Sequence, residues 1–441
     1  MGQSYGTYFQ RNENASADQV EHLVIRIREL LETSRRPLPG GECCIYKVPH
    51  HLRKLNEEVY TPQVISIGPF HHGNQNLQIL EKYKVRYLED FMSRANTSLE
   101  NLISIVKGSE KGILQCYAET NELDSDAFLT MILLDATFII EYFLRDMFPV
   151  QWTDEDTTVI KPWITARMQL DFLLIENQLP FFILRDLYQL VLVTDRIMYR
   201  PFIEVVFHYF HFLNTQNMPP NPEQFNGILH FVDLIRIFYL PRRERLPEGQ
   251  TDSTRVEKIC CATQLAEAGL TFKKSESLCY LDLKYHEGVL EIPPFTIDGT
   301  TEILARNLMA LEQCHYPTQA YITDYFFLLD FLIDTGKDVA LLADKKILVN
   351  GMGDDNATFI NNLGTNVQYS SMNSEYCRLC RDLAKFQNDS WNRWKAIFKR
   401  DYVSTPWKIV ATIAAILLLA FTLTQAVCSI ISVLPSKRRN L

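Results

Sequence analysis

Two adjacent histidine pairs, His50-His51 and His71-His72, are the first residues whose type invites chemistry, since four imidazoles can surround zinc. Neighbours on an extended chain point to opposite faces, so each pair offers at most one inward ligand. The spacing therefore favours turn and strand-end histidines bonded to backbone. Glu204, His208 and His211 fall at i, i+4 and i+7, the geometry of a helical metal triad. They lie in PFIEVVFHYFHFL, an aromatic-rich packing helix, and packing is the better account of them. Cys314-His315 resembles a thiol–imidazole couple. Adjacent helical side chains diverge by about 100°, so these two cannot act together as nucleophile and base.

The polar island Glu176-Asn177-Gln178, wedged between LLI and LPFFIL, is the most informative constellation. Burying such groups unpaired costs about 1–3 kcal/mol each. Pro180 suits the first turn of a new helix and disfavours helical geometry at Leu179. The island thus belongs at a helix–helix corner, where its amides can satisfy orphan backbone groups; a ligand site is the competing account.

No local template for catalysis is present: no GxGxxG after a strand, no Walker loop, no GxSxG elbow, no HExxH and no kinase set. Gly351-Met-Gly-Asp-Asp355 reads as a turn. The sequence assigns no catalytic residue, no cofactor and no metal. The net charge of −9 leaves no basic face to displace counterions from phosphates, which excludes nucleic acid as the expected partner. Ten cysteines include the adjacent pairs Cys43-Cys44 and Cys260-Cys261, which seldom bridge, and one lone CxxC, Cys377 to Cys380. They read as reduced thiols. Sequons at Asn14, Asn96, Asn356 and Asn388 decide nothing alone.

The elements that must position these residues are mostly helical. A polar leader ends at Ser16 or Asp18, before an amphipathic helix over 19–32, and the Pro/Gly-rich stretch 35–41 breaks it. Two short extended pieces follow at 45–48 and 64–67. Helical periodicity then dominates from Leu77. It predicts an apolar helix over 126–148, punctuated by Asp135 and Glu141, with Arg145 as the i+4 partner of Glu141. Further helices are predicted near 160–175, 180–194, 199–213, 225–239 and 254–268. Residues 281–285 and 289–292 alternate around His286-Glu-Gly288 and predict a hairpin. Helices resume near 300–314, 319–334, 337–345 and 374–399. With 47% apolar and 22% charged residues, the chain can build a real core. It divides into a leader and helix (1–41), a helical subdomain (42–240), a second with the hairpin (241–400), and an anchor with a short basic tail (401–441).

That anchor is the strongest signal. Ile409 to Leu434 is 26 residues without a charge, fourteen of them Leu, Ile, Val or Phe. A helix of that length spans roughly 39 Å, enough to cross a hydrocarbon core of about 30 Å with some tilt. Trp407 and Lys408 mark one interface and Lys437, Arg438 and Arg439 the other. The N-terminal stretch has no apolar core and does not read as a secretory signal. A cytosolic head is therefore expected, with basic residues Arg393, Lys395, Lys399, Arg400 and Lys408 on its side of the span.

Ordered motifs carry a resemblance. Cys44-Ile-Tyr-Lys-Val-Pro is followed by LRKLNEEVYTPQVISIGPFHHG, then by Leu80-Glu-Lys-Tyr-Lys84 with Arg86-Tyr87-Leu88. LLIENQLPFFIL, AGLTFK, LEQCHYPTQAYITDY, LLDFLIDTGKDVALL, WNRWKAIFKRDY and the terminal span come next. Over residues 42–434 the chain resembles the plant family called domain of unknown function 247. The resemblance implies a flowering-plant, single-pass, mostly helical membrane protein with no established enzymatic activity. Some grass members are tied to pollen-side recognition in self-incompatibility, which implies interaction rather than turnover. Where relatives often read Asp-Gly-Cys-Phe, this chain has Asp135-Ala-Thr-Phe138.

The expectation is a mostly α protein: a multi-helical globular head with a small β-hairpin and one C-terminal transmembrane helix. It would act by protein–protein interaction or recognition, possessing membrane lipid as one partner and a protein as the other. A membrane-tethered hydrolase or transferase is the alternative, which a deep pocket lined by Glu176, His208 or His315 would favour. A structural membrane scaffold is the third reading.

Overall fold

The computed structural model describes residues 21–28, 43–119, 123–194, 200–241, 259–350, 356–367, 372–390, 394, 398 and 406–433. The polar leader, the break at 35–41, the loop at 242–250 and the turn at 351–355 lie outside them. So do Leu434, Lys437, Arg438 and Arg439, and, before the span, Arg393, Lys395, Lys399 and Arg400. Helix dominates, as the periodicity predicts. The chain forms two compact units. The first comprises Met1–Val48, Pro62–Val206 and Pro222–Phe231; the second comprises Pro49–Thr61, Phe207–Asn221 and Val232–Leu441.

In the first unit the helices are α1 (Gln78–Ala95), α2 (Leu99–Cys116), α3 (Ser125–Met147), α4 (Asp154–Val159), α5 (Pro162–Asp171) and α6 (Phe181–Thr194). Asp124 starts α3 by accepting the Ala127 N–H at 2.8 Å. Asn96 ends α1 in the left-handed region at φ 45°, a conformation asparagine tolerates. α3 packs against α1, α2 and α6. Its Phe138, Ile139, Ile140, Tyr142 and Phe143 are fully buried, each worth about 1.5–3 kcal/mol of transfer free energy. Phe138 stacks on Tyr142, and Phe143 meets Phe172 and Phe231 at 5.4 Å. The two expected extended pieces enter no sheet. Ile45 makes a single bridge to Tyr117, and residues 63–68 are held by side chains.

Helices α7 (Phe202–Tyr209) and α8 (Phe231–Tyr239) follow in the chain. α7 is shorter than the predicted 199–213. It stops at Tyr209, and His211–Leu213 is a separate 3-10 turn. α8 begins only at Phe231, because turns occupy the residues before it.

The second unit holds α9 (Ala262–Glu267), α10 (Thr301–His315), α11 (Tyr321–Leu332), α12 (Gly336–Asp344), α13 (Asn356–Leu363) and α14 (Ser374–Asn388). The predicted hairpin forms: β2 (Lys284–His286) runs antiparallel to β3 (Val289–Ile292), with Tyr285 opposite Leu290. Its two-residue turn puts Glu287 at φ 46° and Gly288 at φ 81°, the positive pair a type I′ turn requires. Pairing goes further than predicted. β1 (Thr271–Lys274) adds parallel to β3, and β4 (Phe295–Ile297) pairs in parallel with β5 (Leu348–Asn350). The final helix, α15, spans Pro406–Val433.

Candidate functional site

The residues between Gln63 and Gly68 form no ladder, so their backbone groups need partners elsewhere. Asp171, at the end of α5, accepts the N–H groups of Gln63, Val64 and Ile65 at 2.8–3.0 Å. Burial pushes its carboxyl up to about 6, even though all three donors favour the ionised form. Asn177 Oδ1 accepts the Ile67 N–H at 2.7 Å, and its Nδ2 donates to the carbonyls of Ile65 and Asp171. Asp135 of α3 accepts the Gly68 N–H at 2.8 Å and pairs with Lys84 of α1 at 2.6 Å. Burial raises the Asp135 carboxyl, with the Lys84 ammonium opposing. Lys84 Nζ also donates to the Ser66 carbonyl.

The island residues complete this junction. Gln178 Nε2 donates to the carbonyls of Phe172 and Leu174, just past the end of α5, and its Oε1 accepts the Phe231 N–H at 3.0 Å. Glu176 Oε1 accepts the Val48 N–H at 2.6 Å, while its Oε2 lies 3.1 Å from His71 Nε2. All three side chains are buried. Amides and a carboxylate closing orphan backbone groups at a helix corner is the role their position in the sequence implies.

A second polar cluster sits beside it on α3. Arg145 pairs with Glu141 at 2.5 Å, as the i+4 spacing predicts, and also with Asp90 at 2.5 Å. Arg94 reaches Glu141 at 2.7 Å, and the Arg145 guanidinium lies 4.3 Å from the Tyr87 ring. Glu141 is thereby neutralised from two sides, which a buried carboxylate requires.

In the second unit the motif LEQCHYPTQAYITDY does comparable work. Glu312 accepts the Ile322 and Thr323 N–H groups at 3.1 and 2.8 Å and pairs with Arg236 at 3.0 Å. Burial raises its carboxyl and Arg236 opposes. Arg236 lies 4.1 Å from the Tyr316 ring and bonds the Gln319 carbonyl; Tyr316 donates to Asp233 at 2.7 Å. Asp324 accepts from the backbone and side chain of Asn373. Burial pushes it up to about 7.

The other candidates resolve individually. His50 and His51 begin the helical turn His50–Arg53, and the His51 carbonyl accepts from Asn366. Glu204 pairs with Arg200 at 3.1 Å, while His211 Nδ1 contacts the His208 carbonyl at 2.8 Å. Because α7 ends at Tyr209, the i+7 geometry of a helical triad does not arise. His315 packs its ring on Tyr316 at 4.6 Å. All ten cysteines are free thiols. Among the described residues no group of three or more His, Cys, Asp or Glu is placed to hold a metal.

α15 is different in kind. Among the described residues two helices are long and apolar enough to cross a membrane, and they differ in burial. The most apolar stretch of α3 is 83% buried, whereas that of α15 is entirely unburied. Ile409, Leu418, Phe421 and Ile430 are all exposed, as is Trp407 at its start.

Taken together, these features define a mostly helical protein whose polar motif residues close its backbone from within. The model of the family DUF247, plant protein of unknown function, matches residues 45–421, and the chain belongs to that family. It is 28% identical over 426 residues to UPF0481 protein At3g47200 of Arabidopsis thaliana, covering 90% of this chain and 88% of that one. It is 23% identical over 500 residues to Putative UPF0481 protein At3g02645 of the same plant, covering 91% and 93% respectively. No solved structure matches.

Proposed function

We propose that this is a membrane-anchored, non-enzymatic binding protein, with α15 crossing a bilayer and the helical head facing the cytosol. One observation carries the reading: a 28-residue helix, uncharged from Ile409 onward and with no residue of its most apolar stretch buried. It is about 42 Å long, and bare apolar surface on that scale exceeds what a soluble monomer leaves in water. Trp407 and Lys408 at its start suit an interface, and Trp394 and Phe398 before it are also exposed. Five basic residues precede the span and three follow it, and the ten free thiols suit a reducing compartment.

Binding rather than turnover is supported by where the buried carboxylates point. Asp171, Glu312 and Asp135 accept backbone N–H groups, which is structural work. The anchor would concentrate the head on one surface, raising its effective concentration for a protein partner there. Self-recognition is one form such binding could take. His71 against Glu176 is the observation that favours a tethered enzyme instead, since a carboxylate-oriented imidazole is a general-base arrangement. Full-length protein in microsomes distinguishes the anchor from a soluble fold. It should stay with the membrane in alkaline carbonate, while a chain ending before Pro406 should be released. Release of the full-length chain would overturn the proposal.

A further inference from the structure

The second unit contains a cavity of about 150 Å3, lined largely by the rings of Tyr239, Tyr280, Phe295, Tyr325 and Phe326. That is the size of an engineered apolar cavity that takes up benzene. The rings form a continuous set: Tyr239 to Tyr280 at 5.7 Å, Tyr280 to Phe295 at 5.6 Å, Phe295 to Tyr325 at 6.0 Å and to Phe326 at 6.1 Å. None of Glu176, His208 and His315 lines it.

Two polar features mark the cavity as a binding site rather than a packing fault. The Tyr325 hydroxyl is buried with no hydrogen-bond partner, although the residue is only 2% exposed. A buried hydroxyl left unpaired is costly, and a ligand group inside the cavity would relieve it. Asp298, also lining the cavity, is exposed and is its one charged residue. Its Oδ1 takes four hydrogen bonds, from the backbone and hydroxyl groups of Thr300 and Thr301. Those bonds fix the carboxylate in place and leave Oδ2 for a donor from outside. Among the described residues no Lys or Arg lines the cavity, so nothing there would hold an anion.

We propose that this cavity binds a small arylalkylamine, its ring within the aromatic cage and its ammonium at Asp298 Oδ2. Aromatic rings pack edge-to-face or offset on a ligand ring, and a single carboxylate fixes which end of the ligand enters last. A hydroxyl on the ring would pair with Tyr325. The proposal stands apart from the membrane anchor and does not depend on it.

Calorimetry on the full-length chain in nanodiscs tests it with three probes of one size: tyramine, phenethylamine and phenylacetate. Both amines should bind at least tenfold more tightly than phenylacetate, and tyramine more tightly than phenethylamine. Tyr325→Phe removes only the unpaired hydroxyl, so the fold should hold. It should bring tyramine down to the affinity of phenethylamine. Asp298→Asn should weaken both amines about tenfold. Because Asp298 also supports the start of α10, its thermal melt is recorded alongside, and phenol binding by this variant should be unchanged. Equal binding of phenylacetate and phenethylamine, or no amine binding by the folded chain at millimolar concentration, would overturn the assignment.

Discussion

Gly68 shows how little freedom the buried junction of the first unit leaves a single residue. Its φ is 72°, its N–H is held by Asp135, and an added Cβ would lie 2.7 Å from the Gln178 carbonyl oxygen and 3.0 Å from the Tyr117 hydroxyl. Gly68→Ala combines left-handed strain of about 1–2 kcal/mol with overpacking of about 1–3 kcal/mol. Chemical denaturation should show a loss of several kcal/mol, whereas Gly73→Ala, with open space around its Cβ, should lose only the strain. Asp324 gives a pH prediction. Its folded carboxyl sits near 7, raised by burial against its bonds to Asn373 and helped by the charge of Glu312. Unfolded, it ionises near the ordinary carboxylate value, so between the two the native state holds a proton that the unfolded chain has released. Stability is therefore fully present at low pH and is lost as pH rises towards 7, at up to about 1.4 kcal/mol per unit. Asp324→Asn keeps a neutral side chain in place. Urea midpoints at pH 5.5 and 7.5 should differ less for the variant, by about 2 kcal/mol in stability; an unchanged slope would show that Asp324 is not the group responsible. The island at 176–178 could be read from sequence because three polar residues interrupt an apolar run. Lys84, Asp171 and Asp324 could not, since their burial comes from partners distant in the chain.

Among elements, α3 and α15 present the same problem with opposite outcomes. Both are long apolar helices, yet α3 carries Asp135, Glu141 and Arg145, each answered inside the first unit, and α15 carries no charge after Lys408. Punctuating charges are what distinguish a core helix from a candidate span in sequence. The hairpin was legible for a similar reason: its pairing is local and Gly288 supplies the turn. β1 and the β4–β5 pair are three or four residues long and join non-local partners, so alternation within each strand says nothing of them. Helix ends were least legible, as α7 shows by stopping at Tyr209 and separating His211 from the helical stripe. Caps can be tested directly. Thr335 and Asp338 form a capping box on α12, and Asp338 also accepts from the backbone and hydroxyl of Thr263 in the first turn of α9. Thr335→Ala should cost about 1 kcal/mol. Asp338→Ala removes the cap and the tie to α9 and should cost about twice that, measured by thermal melts of the two variants.

At the scale of the whole molecule, the membrane proposal makes the two apolar helices respond oppositely to the same change. Thirteen aliphatic or Phe residues in α15 supply about 4–8 kcal/mol of insertion free energy on a translocon scale. One arginine near the centre costs about 2.5–3.5 kcal/mol, so two cost about 5–7 kcal/mol, comparable with the whole gain. Leu418→Arg with Phe421→Arg should therefore release the full-length chain from microsomes in alkaline carbonate, and the melting temperature of the head should not move, because both side chains are exposed. Ile139→Arg in α3, at a fully buried position, places an unpaired charge in the core and should unfold the first unit. Were the double variant in α15 to lower the melting temperature as Ile139→Arg does, that helix would be covered by protein and not by lipid, and the anchor would have to be abandoned. An unchanged melt with loss of membrane retention is the combination that only a lipid-solvated helix produces.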